Sequence, residues 1–368
     1  MKLDQLLISQ YKNNKESLLD FSPKVNIFVG DNGAGKTNIL DAIYYLSFCK
    51  SPFNTLDNNN ILHNESHFMI RGEYSNHENG NDKVMISYAK GDRKKIKRND
   101  KEYDRIADHI GEFPLVIISP MDSNLIIGGS EERRKYIDGV ISQFDKQYLN
   151  TLLNYNKVLQ QRNVTLKTMA KDRNSDFSFI EILDSQLVEY GVDIHKKRAA
   201  FLVDYIPLIK EYYLFISNEK ESAGINYRSQ LNSDSFANLL KENHQRDLVL
   251  RHTSIGIHRD DLIFELDNYA IKKQGSQGQQ KSFLIALKTA QFEYTRNKKG
   301  YKPLLLLDDI FDKLDYKRVK QLMKLVSRNE FGQIFITDTN IERIKRIFSE
   351  IDVDKIIYTV IEGNVSKE

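Results

Sequence analysis

A phosphate-binding pattern stands near the amino terminus. The stretch GDNGAGKT matches G-x-x-x-x-G-K-[ST] at every fixed position, and it follows a strand-like run and opens a helix-like run. Its glycines allow the backbone to curl so that successive N–H groups face phosphate oxygens. Lys36 would bind the terminal phosphates, and the Thr37 hydroxyl would take one position on Mg²⁺. The sequence thus predicts a nucleotide-binding loop, which consists of Gly30, Asp31, Asn32, Gly33, Ala34, Gly35, Lys36 and Thr37.

Two adjacent carboxylates follow an apolar run far downstream. Four leucines at 304–307 predict a buried strand, and Asp308 and Asp309 come at its end. Asp308 would join Thr37 in holding magnesium, while Asp309 would orient the attacking water as general base. Lys36 and these two acids are the predicted catalytic residues. The alternative is a strand that ends in two solvated acids.

The nucleotide-binding loop and the acids are widely separated along the chain. Thr37 and Asp308 are 271 residues apart. Small GTPases and adenylate-type kinases do not need such a gap, whereas an extra domain inserted between two halves of one ATPase head would explain it. Asp315, shortly after the acids, is a candidate for contact across a subunit boundary.

A second polar, glycine-containing element lies at 275–282, with the sequence GSQGQQKS. It is followed by FLIALKTA, which we interpret as a helix. The first backbone N–H groups of a helix are free to bind an anion, so this element predicts a second anion site. The alternative is a polar helix start without a partner.

A basic stretch, RKKIKR, lies at 93–98 on a predicted hairpin. Its side chains could contact DNA phosphates without reading the base sequence. The alternative is a solvated edge strand, where lysines also prevent the addition of another strand. The cationic residues are Arg93, Lys94, Lys95, Lys97 and Arg98.

The elements that position these motifs change in character along the chain. Strand and turn signals alternate along residues 1–128, and the same alternation returns at 245–368. Between them, at 129–244, apolar residues recur at spacings of three and four, which predicts two long helices joined by a polar turn at 170–178. We therefore predict an α/β ATPase head that is interrupted by an antiparallel helical arm. A plain helical bundle domain is the alternative for the middle segment.

Composition sets further limits. The 368 residues are enough for two or three domains, and the formal net charge of +3 permits a nucleic-acid partner without arguing for one. Cys49 is the single cysteine, so no intrachain disulfide is possible, which fits a reducing compartment. We find neither a signal peptide nor an apolar stretch that could span a membrane, so we expect a cytoplasmic protein.

The element at 275–282 resembles the signature loop of the ATP-binding-cassette (ABC) superfamily. Ser276, Gly278 and Gln279 match that loop, while Gln277 replaces its first glycine. The resemblance implies an ABC-type P-loop ATPase head that binds ATP and Mg²⁺. It also implies an isologous homodimer that forms on ATP binding, in which each signature serine reaches the γ-phosphate bound by the other head.

Within that superfamily, six blocks in order resemble the RecF family of bacterial replication and repair proteins. The blocks are NIFVGDNGAGKTNILDAIYYLSFCKS, ISPMDSNLIIGGSEERRKYID, TSIGIHRDDL, SQGQQKSFLIALKTAQ, LLLLDDIFDKLD and QIFITDTN. The resemblance implies a head of the SMC/Rad50-like branch with slow, DNA-stimulated ATPase activity. It implies binding to single-stranded or gapped DNA or to junctions, help in loading the RecA recombinase, and a role in the SOS response. RecR, acting with RecO, is the implied protein partner.

An alternative from another class is the ATPase head of an SMC/Rad50-like complex that serves a nuclease. The chain also departs from the related heads. The loop before the arm lacks their glutamine and offers Asp122 or Asn124 instead. The switch histidine of transport ATPases is replaced by Thr337, Asp338 and Thr339.

Overall fold

The computed structural model describes residues 1–54, 56–76, 80–170, 178–217, 221–311, 318–319, 321, 323, 331–349 and 352–368. These form two compact units. The first comprises Met1–Asp122, Phe215–Asn218 and Leu284–Glu368, and the second comprises Ser123–Leu214 and Glu219–Phe283. Most of the predicted polar turn, at 171–177, and Asp315 lie outside the described residues.

The strands of the first unit are β1 (Lys2–Tyr11), β2 (Asn14–Asp20), β3 (Val25–Val29), β4 (His67–Asn76), β5 (Gly80–Ala89), β6 (Lys95–Arg98), β7 (Lys101–Glu102), β8 (Leu115–Ile118), β12 (Leu304–Asp308), β13 (Ile334–Asp338), β14 (Lys355–Ile361) and β15 (Asn364–Lys367). Among the residues that the structure describes, the named helices of this unit are α1 (Lys36–Phe48), α2 (Ile106–His109) and α10 (Ile341–Ser349).

The second unit contains the strands β9 (Ala223–Arg228), β10 (Asp261–Leu266) and β11 (Tyr269–Ala270). Among the described residues its helices are α3 (Ser123–Ile127), α4 (Ser130–Ser142), α5 (Lys146–Met169), α6 (Ser178–Ser217), α7 (Phe236–Leu250) and α8 (Ile271–Gln274). The last residues of α6, 215–217, belong to the first unit. Helix α9 (Gln277–Lys299) begins in the second unit, and the boundary between the units falls within it. No helix in the described part of the chain is long and apolar enough to cross a bilayer.

A largely parallel sheet organises the first unit. Its order is β15-β14-β3-β13-β12-β8, and β15 alone among these strands runs antiparallel to its neighbour. Every residue of β3, β12 and β13 is buried, which explains why these strands are nearly continuous apolar runs. Because neighbouring parallel strands end at the same edge, the loop after β3, Asp308 at the end of β12 and the following Asp309 lie at one edge of the sheet.

A second, antiparallel sheet has the order β2-β1-β4-β5-β6-β7. Helix α1 packs with both sheets in one hydrophobic core, in which its Ile39, Ile43 and Leu46 side chains are buried. Each such side chain contributes about 1.5–3 kcal/mol on burial. This core fixes the helix that follows the nucleotide-binding loop.

The segment at 129–244, predicted as two long helices, also contains the strand β9 and the helix α7. The first of the two predicted helices is broken, because α4 ends at Ser142 and α5 begins at Lys146. Asp145 caps α5 by accepting a hydrogen bond of 2.7 Å from the Tyr148 backbone N–H. Residues 245–283, which the sequence analysis placed with the head, group with the second unit, where β10 pairs with β9 along its whole length.

Buried arginines hold the second unit together. Arg198 donates to Asp260 (2.9 Å), to the Ile257 carbonyl (2.9 Å) and to Asp138. Arg162, also fully buried, donates to Asp247 at 2.6 Å. A buried guanidinium needs such partners, because removal of one carboxylate leaves an uncompensated charge in a medium of low dielectric constant.

We predict that Asp247→Ala lowers the free energy of unfolding by about 3–5 kcal/mol, because Arg162 would lose its fully buried carboxylate partner. Urea denaturation followed by circular dichroism measures this change. The matched control is Lys135→Ala, which removes an exposed ion pair with Glu131 from the same unit and should cost less than about 1 kcal/mol. Equal losses for the two variants would contradict the assigned role of the buried pair.

Candidate nucleotide site

The nucleotide-binding loop connects the buried strand β3 to helix α1. Gly35, the residue before α1, has φ 110°, and a Cβ atom there would lie 2.6 Å from the Asn13 amide. A Cβ atom at Gly30 would lie 2.2 Å from the Val360 carbonyl oxygen. Glycine is therefore required at both positions, at Gly35 by conformation and space and at Gly30 by the approach of β14.

The Lys36 ammonium lies across its own loop. Its Nζ donates to the carbonyl oxygens of Gly30 and Asp31, each at 2.8 Å. Burial lowers the pKa of Lys36, and the nearby carboxylates of Asp309 and Asp308 oppose that shift. A lysine held in this way presents a positive charge to the loop, as its predicted contact with phosphates requires.

Two hydroxyl groups meet on one carboxylate oxygen at the end of β12. Thr37 Oγ1 donates to Asp308 Oδ1 at 2.9 Å, and Thr337 Oγ1 donates to the same oxygen at 2.8 Å. Burial raises the pKa of Asp308, while these two hydrogen bonds lower it. The structure thus brings together the two residues that the sequence analysis proposed as magnesium ligands.

The donor set fits magnesium. A nucleotide-bound Mg²⁺ takes oxygen donors, usually one or two from protein and the rest from phosphates and water. Thr37 and Asp308 supply a hydroxyl and a carboxylate, and a bound cation would offset the cost of burying the Asp308 charge. Their role as ligands stays a prediction, as does the part of Asp309 as general base.

Asp309 has an unusual backbone. Its φ is 48°, in the left-handed region, and its N–H donates to Thr337 Oγ1 at 2.9 Å. Aspartate tolerates this conformation better than most residues, because its short side chain can bond locally. The Asp309 carboxylate opposes the lowering of the Lys36 pKa and adds to the raising of the Asp308 pKa, so the three charged groups act on each other.

No motif in the sequence predicted the residues that hold the nucleotide-binding loop in place. The Ala34 carbonyl accepts from the Gly363 N–H at 2.8 Å and from Asn13 Nδ2 at 3.1 Å. Asn13 Oδ1 in turn accepts from Asn38 Nδ2 at 2.6 Å. Asn13 and Gly363 lie in the turns of the β1–β2 and β14–β15 hairpins. Turn signals predict such hairpins, but nothing in the sequence pairs either turn with the loop.

The signature element opens α9 with a reciprocal pair of hydrogen bonds. Ser276 Oγ accepts from the Gln279 N–H at 3.2 Å, and Gln279 Oε1 accepts from the Ser276 N–H at 2.6 Å, which is a capping box. Gln279 Nε2 donates to Glu221 at 2.5 Å. Both ends of the Gln279 amide are thus used within the second unit. Ser276 is exposed and keeps a hydroxyl proton to donate, and Gly278 follows in the first turn of the helix.

The basic stretch does not act as one surface. Lys94 lies 2.8 Å from Asp57, with its side chain 11% exposed. Arg98 forms a bidentate pair with Asp82 at 2.8 and 2.9 Å and also contacts Glu112. Arg93 donates to a backbone carbonyl. The predicted DNA contact therefore rests on Arg93, Lys95 and Lys97.

One of the two residues suggested in place of the missing glutamine is bound to other residues of the protein. Asp122 lies 2.7 Å from Lys288 and accepts from the Ser119 N–H at 2.8 Å. These contacts make it an anchor for the segment between β8 and α3. Metal clusters of three or more His, Cys, Asp or Glu side chains are absent from the described residues.

Comparison with known proteins places the chain in a family. The model of the RecF/RecN/SMC N terminal domain matches residues 2–357. The protein of Phocaeicola vulgatus named DNA replication and repair protein RecF is 45% identical over 368 residues, which cover 100% of this chain and 98% of the relative. The protein of the same name from Flavobacterium johnsoniae is 49% identical over 347 residues, covering 94% and 96%.

Two solved structures resemble this chain over its full length. The recombination mediator protein RecF-ATP in the RecFOR pathway superposes with a TM-score of 0.91 at 31% identity, covering 100% of this chain and 97% of that one. An Smc head domain from Pyrococcus furiosus superposes with a TM-score of 0.59 at 16% identity, covering 100% and 96%, and it supports the fold alone. The predicted ABC-type P-loop ATPase fold is confirmed. Because near full-length relatives named RecF share almost half of its residues, this chain belongs to the RecF family of DNA replication and repair proteins.

Proposed function

We propose that this chain is an ATP-dependent DNA-binding clamp for replication and recombinational repair. The observation that carries the proposal is the 2.9 Å hydrogen bond between Thr37 and Asp308, which unites the nucleotide-binding loop with the acids across 271 residues. A relative described as RecF-ATP, 31% identical, supports ATP as the nucleotide.

The proposed hydrolysis uses few side chains. The loop N–H groups and Lys36 bind the phosphates, and Thr37 and Asp308 hold magnesium, which would neutralise charge on the phosphate oxygens. Asp309 orients the attacking water and accepts its proton. Many cassette ATPases have glutamate at this position, and aspartate is one methylene shorter. A more distant base is consistent with slow turnover, which DNA would stimulate.

The proposed switch is dimerisation. Each copy lends its loop and magnesium ligands to one ATP, and the other copy closes that site with Ser276, Gly278 and the start of α9. The exposure of Ser276 and the capping box that shapes its turn support this role. A ligand shared by two subunits stabilises their dimer by mass action, so ATP binding matters more than turnover.

DNA is the proposed macromolecular ligand, with single-stranded, gapped or junction forms preferred. Arg93, Lys95 and Lys97 would contact its phosphates. The relatives' name and the RecFOR pathway support a place in repair alongside RecR, acting with RecO. Aid to RecA loading, SOS induction and a cytoplasmic location follow from the same resemblance.

The dimer proposal predicts that the parent protein changes from monomer to dimer on addition of ATP and Mg²⁺. Lys36→Arg, which disturbs phosphate binding, and Ser276→Arg, which blocks closure by the partner copy, should both stay monomeric. Light scattering after size exclusion measures the mass. Ser233→Arg, which changes an exposed serine elsewhere in the second unit, is the matched control and should dimerise. ATP-dependent dimers of both site variants would refute the shared site.

The DNA proposal predicts that Lys95→Ala/Lys97→Ala weakens binding to all DNA sequences alike. Loss of two phosphate contacts should reduce the magnitude of the slope of log affinity against log salt concentration by about 2. Fluorescence anisotropy with single-stranded, gapped and duplex oligonucleotides, with and without ATP, measures it. Lys345→Ala, an exposed lysine on α10, serves as control. Equal binding of every DNA form, unaffected by ATP, would contradict a clamp.

A further inference from the structure

Thr337 lies in the candidate nucleotide site, but the proposed hydrolysis assigns it no role. It is fully buried in β13, and its register partner in the neighbouring strand is Asp308. Its hydroxyl donates to Asp308 Oδ1 at 2.8 Å and accepts from the Asp309 N–H at 2.9 Å. One side chain therefore contacts both acids, 28 and 29 residues away in the sequence.

The end of β13 is firmly anchored. Asp338, the next residue, is fully buried and accepts from Arg343 at 2.8 Å and from the Asn340 N–H at 2.7 Å. Asn340 Oδ1 accepts from the Arg343 N–H at 2.9 Å, which caps α10. The strand end and the following helix thus form one hydrogen-bonded unit that places the Thr337 hydroxyl.

The hydroxyl has one proton and can accept as well as donate, so it can serve both acids at once. The bond to Asp308 fixes a side-chain oxygen that Thr37 also contacts. The bond from Asp309 satisfies an N–H in a residue whose backbone is left-handed, with φ 48°. Loss of the hydroxyl would leave the N–H without this acceptor and would free the peptide to leave a conformation that few residues adopt.

We infer that Thr337 is a positioning residue that sets the orientation of both acids, through the side chain of Asp308 and the backbone of Asp309. The inference rests on the proposed ATPase function and deepens it. Thr337 acts through these two residues. It keeps the proposed general base in the geometry that the attack on phosphorus requires.

The test compares Thr337→Val, which keeps the shape and removes the hydroxyl, with Thr337→Ser, which keeps the hydroxyl. In steady-state hydrolysis of Mg-ATP, the valine variant should lose about tenfold in kcat, the worth of a buried hydrogen bond. Its KM for Mg-ATP should rise by less than kcat falls, because Asp308 keeps its hydrogen bond from Thr37. The serine variant should recover most of kcat. Thr289→Val, a buried threonine that bonds within α9, is the matched control.

Hydrogen–deuterium exchange of the nucleotide-free protein gives a readout that does not depend on hydrolysis. The Asp309 amide should exchange about tenfold faster in Thr337→Val and near the parent rate in Thr337→Ser. A parent that hydrolyses no ATP would refute the proposed function and leave this exchange result to decide the inference. Unchanged exchange in Thr337→Val would overturn the inference, as would parental kcat in that variant or equal losses of kcat in both variants.

Discussion

The Asp308 carboxylate is the point on which the site depends. One of its oxygens accepts from Thr37, at the start of α1, and from Thr337, in the neighbouring strand. These two bonds tie the ends of β12 and β13 to the first turn after the nucleotide-binding loop. Because the carboxylate is buried, it requires donors or a cation, and the two hydroxyl groups supply donors at this edge of the sheet.

Much of the first unit could be predicted because its sequence signals are local. The loop pattern lies between a strand and a helix, and the helix-like run that it opens is the observed α1, Lys36–Phe48. Four consecutive leucines predicted the buried strand β12, which lies between two parallel neighbours. In each case the residues that signal the element are the residues that build it.

Other features depend on contacts that no local pattern encodes. The sequence did not show that β10 pairs with β9, and so residues 245–283 were assigned to the head. The basic stretch was considered as one unit, yet Lys94 and Arg98 are paired with Asp57 and Asp82 from other segments. The hydrogen bonds from two distant hairpin turns to the Ala34 carbonyl were likewise not predictable from local sequence. Charge and turn composition are visible in a sequence, but pairing across the fold is not.

The most direct test of Asp308 as a metal ligand is calorimetry of ATP binding as a function of Mg²⁺, in the parent and in Asp308→Asn. If Asp308 and Thr37 hold the metal, the parent should bind ATP at least about tenfold more tightly with Mg²⁺ than in EDTA. The asparagine variant should lose most of that difference while it still binds metal-free ATP. An Asp308→Asn protein with the full magnesium effect of the parent would show that Asp308 does not hold the metal.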